Sequence, residues 1–429
     1  MDTIFALSSG APPAAIGVMR LSGPGAFDAV RALARGELPQ PRRARLVSLR
    51  DPAEGALLDR ALLLCFPGPA SATGEDLAEF HLHGGRAVVR AVEAALARLP
   101  GLRPAEPGEF TRRALLNGRI DLSEAEGLGD LLAAETETQR RVAIRSAEGG
   151  LRRQVEAWAA RALALSASVE AMLDHADEAD VAGEGDLLEP VLGQAAALSA
   201  EIAAVAMRPP VERLRDGLQV VIAGPPNAGK STLFNALAGR EAAIVSPLAG
   251  TTRDRIEAPV MRDGLAFVLT DTAGLSEAPG DAVEEIGIGL AREAMAGADI
   301  LLWLGDDAAP AGEGVIAIHS RADESGRVVA GDRLAISAVT GEGIEALWAT
   351  IAGLARTMVP PADQLALNLR QRDLASRAAA ALGDAAGERD PLLLAEQLRA
   401  ALRAFDAITG RADVEAMLDA LFARFCIGK

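Results

Sequence analysis

The sequence predicts a multidomain chain of α+β and α/β units: an N-terminal α+β domain, an α-helical domain, and a P-loop α/β domain inserted into the helical one. Three observations predict it. Residues 1–118 mix short apolar runs with turn clusters. Residues 119–213 and 359–429 are alanine-rich, with leucines at helical spacing. Between them, residues 214–358 switch to a strand, glycine loop, helix pattern, and that alternation denotes an α/β sheet. At 429 residues the chain has room for several domains. It is 50% hydrophobic and 24% charged, a globular balance and not a disordered one.

The elements follow in order. Ala14–Leu21 and Ala61–Phe66 read as strands, separated by turn signals such as Phe66-Pro67-Gly68-Pro69. Ala87–Leu99 reads as a helix. Leu122–Ala147 and Leu151–Leu173 read as long helices. An acidic stretch from Asp174 to Glu189 reads as a loop, and helix resumes to Ala206, before Pro209-Pro210. Leu218–Ala223 is a strand and Lys230–Ala238 a helix. Ile256–Met261 and Leu265–Thr270 form a hairpin across Arg262-Asp263-Gly264. Val283–Ala296 is helical, Ile300–Leu304 and Val315–Ile318 are buried strands, and Gly343–Ala355 is a helix. Nine residues, Gly305–Glu313, are too few for the usual helical crossover between parallel strands, so a helix there is missing or reduced to a turn. After Pro360-Pro361 the chain reads as helical to its end.

Composition narrows the function. The net charge of −17 argues against binding a long nucleic-acid backbone, which needs a basic face. A local patch is still open: Arg140, Arg141, Arg145, Arg152 and Arg153 cluster, with Arg141, Arg145 and Arg152 on one helical face, either a contact site or a solvated surface. No 18-residue apolar run and no N-terminal leader are evident, so a cytoplasmic protein without a membrane span is expected. Cys65 and Cys426 have no metal-ligand or redox spacing.

Only two of the 43 basic residues are lysines, Lys230 and Lys429. A drift toward arginine spares positions that need a compact ammonium group. Lys230 stands in Gly224-Pro225-Pro226-Asn227-Ala228-Gly229-Lys230-Ser231-Thr232, which fits G-x-x-x-x-G-K-[ST] after a strand and before a helix. Such a loop cradles phosphate oxygens, with Lys230 on the terminal phosphates and Ser231 on Mg²⁺. Lys429 is a similar case or an accident of a terminus.

Four further pieces come in the order a GTPase requires. Gly250-Thr251-Thr252-Arg253-Asp254 offers a switch threonine for Mg²⁺. Asp271-Thr272-Ala273-Gly274 ends a strand, placing Asp271 at the metal's water shell and the Gly274 N–H at the γ-phosphate. Ser320-Arg321-Ala322-Asp323 offers Asp323 to the N1–H and exocyclic amine of guanine. Ser337-Ala338-Val339-Thr340-Gly341 offers a backbone N–H to the guanine oxygen. The usual base motif is Asn-Lys-x-Asp; here serine and arginine replace the first two. Leu275 stands where many GTPases place a water-orienting glutamine, so another group must act. Glu284 and Glu285 are candidates, and a monovalent cation near Asn227 and the 246–251 segment is a further one.

With these motifs in place, the chain resembles the tRNA modification GTPase MnmE (TrmE) family over nearly its whole length. The resemblance rests on Asp2-Thr3-Ile4, Ile16–Gly23, Thr73-Gly74-Glu75-Asp76, His83-Gly84-Gly85, Pro107–Ala114, Leu116–Leu122, the nucleotide motifs and Phe425-Cys426-Ile427-Gly428-Lys429. It implies a folate-binding, dimerising N-terminal domain over 1–118, a helical domain over 119–213 and 359–429, and an inserted Ras-like G domain over 214–358. It implies GTP, Mg²⁺, K⁺ and a tetrahydrofolate derivative as cofactors, a homodimer, and the flavoprotein MnmG as partner, which alone would carry FAD. Together they would modify position 5 of the wobble uridine of certain tRNAs. Matching motifs, residue by residue, puts Arg20, Glu79, Arg119 and Lys429 on the folate, although the family usually has lysine at the place of Arg119. It puts Ser231 and Thr252 on Mg²⁺, and Asn227, Ser246, Leu248 and Thr251 on K⁺. Asn227–Thr232, Asp271–Gly274, Ser320, Arg321, Asp323, Ser337 and Ala338 would hold the nucleotide. Glu284, in Val-Glu-x-Ile-Gly, matches the water-orienting glutamate and is preferred to Glu285. The competing reading is a regulatory or ribosome-assembly GTPase switch with no tRNA chemistry, which has no need of a folate site.

Overall fold

The computed structural model describes residues 2–176, 184–239, 257–272, 289, 291–324, 331, 333–411, 418, 421–423, 425, 427 and 428. The chain divides into two compact units: residues 1–129, 146–159 and 405–429 form one, and residues 130–145 and 160–404 the other.

The first unit is built on a six-stranded sheet. Its elements are β1 (Thr3–Leu7), β2 (Ile16–Ser22), α1 (Ala26–Ala34), β3 (Arg45–Arg50), β4 (Leu57–Phe66), β5 (Leu77–His83), α2 (Arg86–Ala97), β6 (Leu102–Pro104) and α3 (Glu109–Leu116). The strand order is β3-β4-β5-β2-β1-β6. All pairs are antiparallel except β1 with β6. Successive residues of a strand face opposite sides. In β1, Phe5 joins the core that Val30, Leu33, Val92 and Leu96 of the helices close over Leu21, Leu63 and Phe80. Ile4 and Ala6 pack with Phe110 of α3 on the other side. The apolar runs of β2 and β4 were legible. The shorter β1, β3, β5 and β6 were not, since periodicity cannot resolve runs of three to seven residues flanked by charge. Cys65 is buried in this core, and burial pushes its thiol up to about 11, so it is inert.

The long helix expected over 122–147 is two helices, α4 (Leu122–Ala133) and α5 (Glu137–Ala147). The break is chemical. Thr136 Oγ1 accepts the Gln139 N–H at 3.1 Å, and Gln139 Oε1 accepts the Thr136 N–H at 2.8 Å, a reciprocal cap that starts a new helix. Then α6 spans Gly150–Ala176, after Gly149 turns left-handed at φ 76°. The arginines from 140 to 153 therefore do not share one helix face. Arg140 and Arg141 pair with Glu137, Arg145 donates to the Asp363 carbonyl, Arg152 pairs with Glu124 and Glu156, and Arg153 donates to the Glu148 carbonyl. The expected acidic loop is partly helix, because α7 begins at Glu184 and carries Asp186 and Glu189 inside it.

The second unit holds the other sheet. Its elements include α7 (Glu184–Ala206), α8 (Val211–Arg215), β7 (Leu218–Ala223), α9 (Lys230–Ala238), β8 (Glu257–Arg262), β9 (Leu265–Asp271), β10 (Ile300–Trp303), β11 (Val315–His319), β12 (Leu334–Ala335), α10 (Ile344–Met358) and α11 (Leu369–Gly387). The order is β12-β11-β10-β7-β9-β8. All neighbours are parallel except the β8–β9 hairpin. The hairpin turns at Asp263 (φ 50°) and Gly264 (φ 77°), the two-residue left-handed turn that matches strand twist. Of the helix expected over 283–296, residues 289 and 291–296 are described and helical. No helix occupies 305–313: β10 and β11 pair in parallel through a loop alone.

Leu188–Arg215 includes a window of mean hydropathy 1.4, long and apolar enough for a membrane span, so the expectation of no such run needs correction. The sequence scan missed it because Glu189 and Glu201 interrupt the run. Its buried positions, Val191, Leu192, Ala195, Leu198, Ile202 and Ala206, recur at helical spacing. They belong to α7, which packs along α11, with Ser199 Oγ donating to the Ala379 carbonyl at 2.7 Å. That one-sided burial is the pattern of a core-facing helix.

The C-terminal segment is not helical throughout. A break at 388–390 separates α11 from α12 (Pro391–Thr409), and α12 ends before Gly410 at φ 80°. In the first unit Ile427 bridges Pro107, and a side chain at Gly428 (φ 97°) would run into the Leu7 carbonyl.

Candidate functional site

The parallel strands of the second unit end together, and the candidate nucleotide residues stand at those ends, where an open α/β sheet binds ligands. The loop after β7 leads into α9. Gly224 sits at φ 152°, and a Cβ there would lie 2.6 Å from the Leu304 carbonyl, so only glycine lets the loop cross β10 this closely. Asn227 is left-handed at φ 61° and Gly229 at φ 95°. No side chain caps α9, and its first residue is Lys230. The helix amino terminus therefore offers N–H donors and a positive dipole end to an anion. Lys230 Nζ donates to the carbonyls of Gly224 (3.1 Å) and Pro225 (3.0 Å), which folds the ammonium back over its own loop. Ser231 and Thr232 follow on the first turn of α9.

Asp271 closes β9 and is buried, paired in register with Ile222 of β7. Thr272 Oγ1 donates to the Ile222 carbonyl at 2.8 Å. Ser320 and Arg321 reach the phosphate loop from the end of β11: Ser320 Oγ donates to the Ala228 carbonyl at 2.8 Å, and Arg321 donates to the Asn227 carbonyl. The Ala322 N–H bonds the Ile336 carbonyl, which ties this loop to the one after β12. Asp323 is exposed, and a hydrogen bond from buried Ser337 holds its carboxyl below the ordinary carboxylate range. Ser337 also braces its own turn, accepting the Thr340 N–H at 3.1 Å, with Ala338 next in line. Thus Asn227–Thr232, Asp271, Thr272, Ser320, Arg321, Asp323, Ser337 and Ala338 share one rim. Ala273, Gly274, Ser246, Leu248, Thr251, Thr252, Glu284 and Glu285 lie outside the described residues. So do Cys426 and Lys429.

The donor set fits a nucleotide phosphate with Mg²⁺: a serine hydroxyl, a buried strand-end carboxylate and uncapped helix N–H groups. Mg²⁺ is usually held by one or two protein oxygens plus substrate phosphates. Among the described residues no group of three or more His, Cys, Asp or Glu is placed to hold a metal.

In the first unit, Arg20 of β2 stands directly opposite Glu79 of β5. Their ion pair measures 2.8 Å, and Arg20 Nε also donates to Glu79 at 2.9 Å. His81 Nε2 lies 3.4 Å from the same carboxylate, and the Arg20 guanidinium lies 5.7 Å from the Phe110 ring centroid. Sequence reasoning missed His81 and Phe110. Alternation along β5 from Glu79 points to the first, but nothing local points to the second. Arg119 is exposed, its stem packed over Gly74. The Gly74 loop connects to β2 through Ser22, whose hydroxyl lies 2.6 Å from Thr73 Oγ1 and 2.7 Å from Glu75. Glu75 accepts Arg113 at 3.2 Å, and Arg113 also bonds Asp2 (2.8 Å) and Glu109 (3.0 Å). Three sequence motifs, Asp2-Thr3-Ile4, Thr73–Asp76 and Pro107–Ala114, thereby meet in one ion network.

Comparison with known proteins accords with this geometry. Residues 3–119 match the family model described as GTP-binding protein TrmE N-terminus, and residues 122–426 match the MnmE helical domain. The chain is 59% identical over 432 residues to a protein of Rhizorhabdus wittichii, covering 100% of this chain and 97% of the relative. It is 54% identical over 439 residues to one of Novosphingobium aromaticivorans, and 56% identical over 434 residues to one of Erythrobacter litoralis, each fully covered on both sides. All three are named tRNA modification GTPase MnmE. A phosphate loop, a base-recognition rim and full-length identity of this order lead to one conclusion: the chain belongs to the MnmE (TrmE) family of tRNA modification GTPases.

Proposed function

We propose that this chain hydrolyses GTP to drive tRNA modification and, with the flavoprotein MnmG, installs a carboxymethylaminomethyl-type group at position 5 of the wobble uridine of certain tRNAs, with a tetrahydrofolate derivative as carbon donor. The observation that carries the GTPase half is the rim at the carboxyl ends of the parallel strands. Lys230 and the α9 amino terminus would hold the phosphates, and Ser231, with Asp271 behind it and Thr252 from the switch segment, would hold Mg²⁺. Asp323 would read guanine, with Ser337 and Ala338 closing over the base. Asn227, Ser246, Leu248 and Thr251 would hold K⁺, and Glu284 would orient the attacking water.

The Arg20–Glu79 pair supports the folate half. A pterin presents an N–H edge that a carboxylate accepts and a carbonyl that a guanidinium meets. Arg119 and Lys429 would complete the set. The division into 1–118 (folate and dimerisation), 119–213 with 359–429 (helical) and 214–358 (G domain) belongs to the same proposal, as does a dimer through 1–118. A regulatory or ribosome-assembly switch would not need the Arg20–Glu79 arrangement, so the folate reading is favoured over it.

Mass spectrometry of wobble uridines from cells lacking this protein tests the proposal. Loss of the carboxymethylaminomethyl group, restored by the wild type and not by Lys230→Ala, is expected. Unchanged wobble uridines would refute it. Titration with 5-formyltetrahydrofolate separates the two readings, because a pure switch gives no binding.

A further inference from the structure

Four carbonyls of the phosphate loop are tied. Lys230 takes those of Gly224 and Pro225, Ser320 takes that of Ala228, and Arg321 takes that of Asn227. Carbonyl oxygens repel phosphate, whereas amide hydrogens attract it. Within one planar peptide the C=O and the next N–H point in opposite directions. Pulling the Ala228 carbonyl toward Ser320 therefore turns the Gly229 N–H the other way. Asn227 must also hold a left-handed conformation that a residue with a Cβ rarely adopts, at φ 61°. Something has to keep it there.

Arg321 has the reach and the geometry to do so. It leaves β11 in a left-handed turn of its own, at φ 59°. Its guanidinium passes 3.9 Å from the Cβ position of Gly229, donates to the Asn227 carbonyl, and pairs at its other branch with Glu324 at 3.3 Å. A guanidinium can meet two acceptors at fixed angles, whereas a lysine ammonium is a single point. We propose that Arg321 is a positioning residue, a two-ended tie from Glu324 to the Asn227 carbonyl that, with Ser320, holds the phosphate loop in its anion-binding shape before the nucleotide arrives. The arginine in this motif is then a functional choice of this chain. The inference rests on the nucleotide reading of the site.

Stopped-flow binding of mant-GDP to the full-length protein tests it, because pre-organisation and direct contact differ in kinetics. A loop that is competent only part of the time lowers the apparent association rate in proportion to the competent fraction. Loss of a direct contact raises the dissociation rate instead. Arg321→Ala is expected to lower the association rate about tenfold and leave dissociation within about twofold. Arg321→Lys keeps the charge but not the bridge, and is expected to fall between. Glu324→Gln separates the tie from electrostatic steering. It adds positive charge, so steering alone would speed association, while a loosened tie slows it by about two- to threefold, as suits an exposed ion pair. Faster dissociation at unchanged association in Arg321→Ala, wild-type rates in Arg321→Lys, or faster association in Glu324→Gln would each overturn the tie. Failure of the wild type to bind mant-GDP would instead overturn the nucleotide reading, so the two failures are distinguishable.

Discussion

Arg113 is the test of what holds the first unit together. Its side chain is 11% exposed and touches three carboxylates, those of Asp2, Glu75 and Glu109. Glu75 and Glu109 are themselves only 12% and 10% exposed. Replacing Arg113 with methionine keeps the length and removes the charge. It leaves Glu75 facing Glu109 with one cation gone, although Arg103 still pairs with Glu109 at 2.6 Å. Removing one partner of a buried pair costs about 3–5 kcal/mol, and the remaining arginine places this case near about 3 kcal/mol. Because a two-unit chain need not unfold in one step, a local observable suits it better than a global melt. Hydrogen exchange in the intact protein reads β1 and β2 directly. A loss of about 3 kcal/mol corresponds to roughly a hundredfold faster exchange there, with β7 and β10 of the other unit unchanged.

The pH dependence adds a second arm. Burial would raise the carboxyl of Glu109, but hydrogen bonds from Arg103 and Arg113 overcome it and hold it below its ordinary value of 4.5. Hydrogen bonds from Arg103 and then Arg113 lower Asp2 likewise. A depressed folded-state value means stabilisation that is complete above the ordinary carboxylate range and lost as pH falls through and below it. The gap between wild type and Arg113→Met should therefore narrow on acidification. A change under about tenfold at neutral pH, or an equal effect on both sheets, would refute the network as the tie.

Other outcomes follow from the same structure. Gly224→Ala places a Cβ 2.6 Å from the Leu304 carbonyl, so it should weaken mant-GDP binding by about tenfold or more and destabilise by about 1–3 kcal/mol, read by titration and by hydrogen exchange at β7 and β10. Asp323→Asn should weaken GTP and favour xanthosine nucleotides, since an amide presents a donor where guanine needs an acceptor; equal GTP binding by the variant would sink the base-recognition reading. GTP hydrolysis should be faster in KCl than in NaCl at matched ionic strength under single-turnover saturation, and Glu284→Ala should slow it by about a hundredfold while sparing affinity. Equal rates in the two salts would remove the cation from the mechanism.

Most of the nucleotide rim was legible before any coordinates. Gly224–Ser231, Asp271 and Ser320–Asp323 are local motifs, and strand, loop and helix place such residues by short-range geometry. Leu218–Ala223 and Lys230–Ala238 occupy the spans their periodicity indicates. The missing crossover helix could also be counted from the nine residues of 305–313. Family motifs in the first unit were visible as strings, but their purpose was not. That Asp2, Glu75, Glu109 and Arg113 form one network, across separations of up to 111 residues, is set by sheet order and not by local sequence. The break at Thr136 was hidden because alanine-rich periodicity runs through it and only a side-chain cap interrupts it. The partners of Arg321 were hidden for the same reason. The sequence alone determined which residues carry phosphate and base chemistry, because those motifs act through adjacent backbone. Only the tertiary structure decided which carbonyl each guanidinium meets, because strands distant in sequence bring those partners together.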